Sequence, residues 1–267
     1  PAAPVASYVS EKLDLPGNPY QSVRILSEKD LFRRYQKDHG FNTPEVVILK
    51  ETDNAGEKLS CLDYPFIIKP TDSSGSKGVS RVKQAGEIDK ALASAFEFSR
   101  KKLIIAEEFI DNQVADIHGD GFVMEGELIF SCLGDHIYNV KTNPYNPVAT
   151  LWPSRHSDEI INRIEKDVAD IIRGSGFRNG PVNIEARINA DGKHFIMEIG
   201  PRSGGHFVPQ AIQYATGFDM VKASLDVLEG RKIDLPARTQ KCSAYYAVHS
   251  DTEGELVHLS VHNGLKP

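Results

Sequence analysis

GPVNIEARINADGKHFIMEIGPRSGGH, residues 180 to 206, decides how this chain is read. Two alternating runs, PVNIEARI and HFIMEI, flank NADGK, which is a strong hairpin signal. Strand alternation puts Asn183, Glu185 and Arg187 on one face, while the second run carries Glu198 near its end. Carboxylates side by side on adjacent strands repel each other, and they persist where a cation or arginines neutralise them. Such a pair supplies oxygen ligands for magnesium. A solvated sheet face would also carry alternating charges, but Glu198 lies in an apolar run that should be buried. Arg202 follows the strand in a Gly-rich turn with Gly204, Gly205 and His206. A guanidinium there can grip a phosphoryl group or a carboxylate with two parallel hydrogen bonds, or simply make a surface ion pair.

Upstream, FIIKPTDSSGSKGVSRV, residues 66 to 82, runs from an apolar strand through Lys69 into a hydroxyl-rich loop and on to a second strand. The loop, with Ser73, Ser74, Gly75, Ser76, Lys77 and Gly78, packs almost nothing. Its backbone N–H groups can converge on a phosphate, with lysine supplying counter-charge. A mobile hairpin tip is the competing reading. The order differs from the Walker pattern, because Gly78 and not Ser or Thr follows Lys77, and GxGxxG is absent. In IIAEEFI, residues 104 to 110, acidic residues directly follow an apolar strand. They could sit in a crevice where peptide bonds read a base edge, or the strand could simply run out into solvent. His118, His136, His156 and His206 lack metal-ligand spacing, and no GxSxG or nucleophilic cysteine motif is present.

The chain has 267 residues, 25% of them charged, enough for one large domain or two smaller ones. A net charge of -6 argues against a general nucleic-acid or acidic-membrane binder, so any anion must be bound locally. Cys61, Cys132 and Cys242 are scattered and form no zinc or redox motif, which fits a reducing cytoplasm. No signal peptide or long apolar run is visible. The absence of an initiator methionine, and a helix-like start at residues 2 to 15, suggest a fragment of a longer protein.

Local patterns place the remaining elements. Ser27 reads as the cap of a helix over EKDLFRRYQKDHG that stops at Gly40, followed by the strand TPEVVIL and a loop at 52 to 57. Phe66 to Lys69 should pair with Val79 to Val82, a helix should carry Ile88, Ala91, Leu92, Ala95 and Phe96, and LIIAEEFI should be a strand. FVMEGELIF reads as a hairpin turning at Glu125 and Gly126. Ser157 should cap a helix whose apolar face includes Ile164, Val168 and Ile172. Residues 207 to 229 read as two helical pieces broken at Gly217, with Asp219 as the second cap, and residues 242 to 267 as two short strands around a turn from Asp251 to Gly254. The expected architecture is α+β in two lobes. Its parts are a remnant at 1 to 24, a lead-in at 25 to 59, a small lobe at 60 to 110, a larger antiparallel lobe at 111 to 236, and the start of a β segment at 237 to 267.

A lysine on a helix, IIKPTDSSGSKGV, IIAEEFI, GDGFVMEGEL and the 180 to 206 hairpin, in that order over roughly residues 25 to 235, resemble the ATP-grasp superfamily. The resemblance implies two α+β lobes that clasp ATP, with an N-terminal domain preceding them. Lys29 and Lys69 would contact phosphates, with Lys69 and Arg202 closest to the chemistry. Residues 73 to 78, Ser73, Ser74, Gly75, Ser76 and Gly78 among them, would close over the phosphates. Glu107, Glu108, Phe109 and Ile110 would form the hinge at the adenine, with Asp116 or its rival Gln113 on the ribose. Glu185 and Glu198 would hold magnesium, or manganese in its place. Arg187, Gly204, Gly205 and His206 would line the substrate end.

In one respect the pattern departs from such enzymes, which usually place asparagine two residues after the second glutamate; here that position is Gly200. Asn183 or water would have to compensate. The wording looks most like carboxylate–amine ligases that join amino acids, and like the synthetase half of carbamoyl phosphate synthase. That implies an acyl phosphate intermediate attacked by an amine, with ATP and small-molecule carboxylate and amine as partners, no nucleic acid or membrane, and a homodimer as a compatible assembly. A nucleotide-binding module with weakened catalysis and a bicarbonate-using carboxylase are the competing classes.

Overall fold

The computed structural model describes residues 2–111, 114–139, 143–237, 241–250, 252–258 and 260. Its first elements are helical: α1 (Ala3–Lys12), α2 (Tyr20–Ser27) and α3 (Lys29–Asp38). Ser27 is therefore not the cap of α3. It closes α2, whose Val23 and Leu26 are drawn into the core, and Glu28 alone stands extended between the helices, with no side-chain cap bond. After β1 (Val46–Lys50), the expected loop gives way to a short helix, α4 (Ala55–Leu59), with Asn54 as its cap.

The smaller sheet then assembles β2 (Phe66–Pro70), β3 (Ser80–Val82) and, after helix α5 (Ile88–Phe98), β4 (Leu103–Glu108). All its pairings are antiparallel, in the order β1-β4-β2-β3. Its core brings Leu49, Phe66, Ile68, Val82, Ile104 and Ala106 under Ala91 and Ala95 of α5. β1 thus belongs to the small lobe.

The larger sheet is built from β5 (Ile117–Met124), β6 (Glu127–Asn139), β7 (Asn143–Trp152), β8 (Gly180–Ile188) and β9 (His194–Gly200), with the long helix α6 (Asp158–Ser175) between β7 and β8. Helices α7 (Val208–Thr216) and α8 (Met220–Leu228) and the edge strand β10 (Ser243–Tyr246) complete it, in the order β10-β7-β6-β5-β8-β9. Local chemistry sets the boundaries, as expected at Ser157, Asp219 and the Glu125–Gly126 turn. Ser157 Oγ accepts from Ile160 N, Gly176 closes α6 in the left-handed region, Asp219 caps α8, and Glu125 and Gly126 turn the β5–β6 hairpin with positive φ. Of the two strands expected near the C-terminal end, β10 forms, and no second strand is found among the described residues. Asp251 lies outside the described residues.

Alternation decides which face of the large sheet receives which helices. Ile117, Val123, Val182, Ile184 and Ala186 point toward α6, together with Val23, Leu26, Phe32 and Tyr35 of α2 and α3. Phe122 and Cys132 face the other way, where Val208, Ile212, Phe218 and Met220 cover one end. The uncovered remainder of that face carries His118, Glu185 and Arg187, and it forms one wall of a cleft whose other wall is the small lobe. No helix among the described residues is long and apolar enough to cross a membrane.

Candidate functional site

The cleft encloses about 350 Å³. From the small lobe, Ile67, Lys69, Ser73, Ser74, Gly75, Ser76, Lys77, Val79, Glu107, Glu108, Phe109 and Ile110 line it. From the large-lobe side come Lys29, Asp116, His118, His136, Tyr138, Glu185, Arg187, Met197, Glu198, Arg202, Gly205 and His206. Gly78 and Gly204 are set back from this wall. Gly78 lies against Pro70 and Phe98, and Gly204 against Asp120, Asn183 and Val208. Gln113 lies outside the described residues.

Lys29, expected at the phosphates, opens α3, and its Nζ donates to Ser73 O in the 73–78 loop at 3.0 Å. Within that loop Gly75, Ser76 and Gly78 all take positive φ, a conformation that costs glycine little. Lys69 lies on the middle of the small sheet opposite Ile105 of β4, and its Nζ donates to Glu107 Oε1. The other carboxylate oxygen of Glu107 accepts from Arg33 Nε at 3.0 Å. Both oxygens of Glu107 are therefore taken by cations, and its side chain secures a lysine where an adenine contact was expected. Burial alone would raise the pKa of Glu107, but Arg33 and then Lys69 outweigh it and hold the value down to about 2. Burial lowers the pKa of Lys69, and Glu107, shared with Arg33, offsets this only in part. A carboxylate between two cations stays charged, so the pair is ionic.

On the large sheet, Glu185 and Glu198 are register partners across β8 and β9, with a bulge between Glu185 and Ala186 that re-aims the strand. Burial first, and Glu198 second, push the Glu185 pKa upward. A cation placed beside the pair would offset the repulsion between the two carboxylates. Oxygen donors of this kind suit magnesium, which keeps several waters and needs few protein ligands. Arg202, beyond the end of β9, donates to Ser203 O and faces the same cleft. At the far end Asp116 accepts from Arg187 Nη2 at 2.8 Å and from Tyr138 Oη at 2.9 Å, so the expected ribose ligand is already engaged. Two guanidinium groups lie over the Phe109 ring, Arg81 at 3.7 Å and Arg187 at 5.5 Å from its centroid.

Behind this wall runs a buried polar network. Asp120 accepts Gly204 N at 2.8 Å and Asn183 Nδ2 at 2.7 Å, and burial pushes its pKa up to about 6. Asn183 Nδ2 also lies 2.8 Å from His118 Nε2 and donates to Gly119 O. Asn183 is committed to this network. His118 and His136 stack with ring centroids 3.9 Å apart and share Thr150 Oγ1; burial drives their pKa values down to about 3 and about 2. Ring nitrogens of His118 and His136 and a carboxylate oxygen of Glu185 lie within 4.8 Å of one another. That trio is a poor metal site. The parallel rings do not aim their lone pairs at one point, and both His118 nitrogens already have partners. Gly204→Ala should destabilise the protein by about 1–3 kcal/mol by urea unfolding, because its Cβ would come within 2.9 Å of Asp120 Oδ1 and Val208 Cβ.

Sequence reasoning missed Arg33, Asp120, Tyr138 and Thr150. A signal for Arg33 existed, since Lys29, Arg33 and Gln36 recur at helical spacing along one stripe of α3. Asp120 was similarly detectable as an acid alternating with His118 and Phe122 on one strand face.

Residues 62–210, more than half of the chain, match the ATP-grasp domain. A D-alanine–D-alanine ligase from Parabacteroides distasonis is 28% identical over 231 residues, covering 81% of this chain and 68% of that protein. The carbamoyl phosphate synthase large chain of a Thermoanaerobacter species is 24% identical over 81% of this chain, which spans only 20% of that protein. The crystal structure of an L-amino acid ligase from Bacillus licheniformis superposes with a TM-score of 0.71 at 24% identity, covering 86% of this chain and 54% of that one. With its two antiparallel sheets and the match over more than half of its length, this chain belongs to the ATP-grasp family.

Proposed function

We propose that the chain carries the ATP- and magnesium-dependent part of a ligase that activates a carboxylate as an acyl phosphate for attack by an amine. The observation that carries this reading is the Glu185–Glu198 pair facing one cleft together with Lys29, Lys69, the 73–78 loop and Arg202. Lys29 and Lys69 would hold the phosphates, and the loop would close over them to keep water from the acyl phosphate. The backbone after β4, at Phe109 and Ile110, would face the adenine edge. Glu185 and Glu198 would hold magnesium, which offsets charge on the phosphates when bound. Arg202 would stabilise the transferring phosphoryl group. The γ-phosphoryl passes to a carboxylate oxygen as ADP leaves, and the amine nitrogen then attacks the acyl carbon and expels phosphate. Arg187, Gly205 and His206 would shape the substrate end. Cys61, Cys132 and Cys242 are not joined in disulfides, which fits a cytoplasmic setting for this chemistry.

The test is calorimetric titration with a non-hydrolysable ATP analogue, with and without magnesium. Magnesium-dependent binding, weakened at least about tenfold by Lys69→Ala, is expected; a folded protein that binds no nucleotide would overturn the reading. ADP release requiring both a carboxylate and an amine would favour ligation, whereas release with bicarbonate alone would favour a carboxylase.

Gly200 offers a second handle. A Cβ there meets nothing closer than 3.7 Å, with Asn183 Cβ and the Arg202 side chain at ordinary contact distance. Gly200→Asn should therefore be tolerated and should lower the magnesium concentration needed for half-maximal nucleotide binding by about tenfold. An unchanged magnesium requirement would show that an amide at 200 adds no ligand.

A further inference from the structure

The Arg33–Glu107 ion pair crosses from one lobe to the other. Phe32 and Tyr35 on either side of Arg33 bury α3 in the large-lobe core, whereas Glu107 belongs to β4 of the small sheet. Arg33 is 1% exposed and does not line the cleft. Its Nε donates to Glu107 Oε2 at 3.0 Å, and its Nη1 to Gln36 Oε1 at 2.9 Å and to Ile196 O at 3.4 Å. Gln36 Nε2 donates to the same carbonyl at 2.8 Å. Ile196 lies on β9, two residues before Glu198, and the remaining oxygen of Glu107 holds Lys69. One guanidinium therefore connects β9, the strand that carries Glu198, to the carboxylate that holds the lysine.

We propose that Arg33 is a positioning residue for nucleotide binding: it fixes Glu107 between the lobes, and through Glu107 it sets where Lys69 presents its ammonium to the phosphates. This rests on reading the cleft as a nucleotide site. Geometry favours arginine specifically. A planar fork can reach a carboxylate, an amide oxygen and a carbonyl at once, whereas the compact ammonium of lysine cannot span them. Removing Arg33 leaves Glu107 with Lys69 alone, so the lysine is drawn toward the carboxylate and away from the cleft.

The test is a double-mutant cycle in affinity for a non-hydrolysable ATP analogue with magnesium, titrated to millimolar concentrations, over wild type, Arg33→Met, Lys69→Ala and the double variant. Arg33→Met should weaken binding about tenfold when Lys69 is present and less than about twofold when it is absent. Equal factors in both backgrounds would assign Arg33 a merely structural role and overturn the proposal. Near-UV circular dichroism checks the fold. Should Arg33→Met fail to fold, the same cycle with Arg33→Lys decides, again by whether its effect disappears without Lys69. Absence of nucleotide binding by folded wild type would instead remove the functional reading itself, and this inference with it.

Discussion

Glu107→Ala is expected to cost the fold about 3–5 kcal/mol, because it strands a buried guanidinium. Arg33 and Glu107 expose only 1% and 2% of their side chains, so the pair is shielded from bulk water. Urea unfolding at neutral pH measures the loss; a change below about 1 kcal/mol would mean that Arg33 finds another partner. The pH dependence follows with a definite sign. The carboxyl group of Glu107 has a folded pKa of about 2 against an ordinary 4.5. Its contribution is fully present above pH 4.5 and is lost as pH falls toward 2, amounting to about 3 kcal/mol over that window. The acid limb of the stability curve should be steeper between those values in wild type than in Glu107→Gln.

Glu198→Gln should leave the fold intact and weaken binding of the ATP analogue by about tenfold or more in magnesium, while changing it hardly at all in EDTA. The amide keeps the shape of the side chain but removes the charge that faces Glu185 across the β8–β9 register. Equal losses in both buffers would make Glu198 a direct contact or a structural residue and would sink its metal role. Relief of like-charge repulsion also predicts that Glu198→Gln raises the melting temperature without metal, and that magnesium then adds less stability than it does to wild type.

Much of the site could be read from local pattern. Strand alternation and the NADGK turn placed Glu185 and Glu198 on neighbouring strands, and the loop chemistry of residues 73 to 78 marked a segment with little packing of its own. Helix caps were legible where hydrogen bonding is local, as at Ser157 and Asp219. They were not legible at Ser27, where burial of Val23 and Leu26 against α6 extends a helix through the expected cap. Roles that depend on distant partners were least visible. Glu107 was expected at the adenine but is held by Arg33 from 74 positions away, and Asp116 was expected at the ribose but is engaged by Arg187 and Tyr138.

The amino-acid sequence by itself determined the strand β2, the β5–β6 and β8–β9 hairpins and the caps of α6 and α8, because periods of two and 3.6 and the chemistry of turns are properties of neighbouring residues. Only the tertiary structure decided which charges are free to meet a ligand and which are already spent. Ion pairing in a buried site depends on the distance between groups brought together from different elements, and no local pattern encodes that distance.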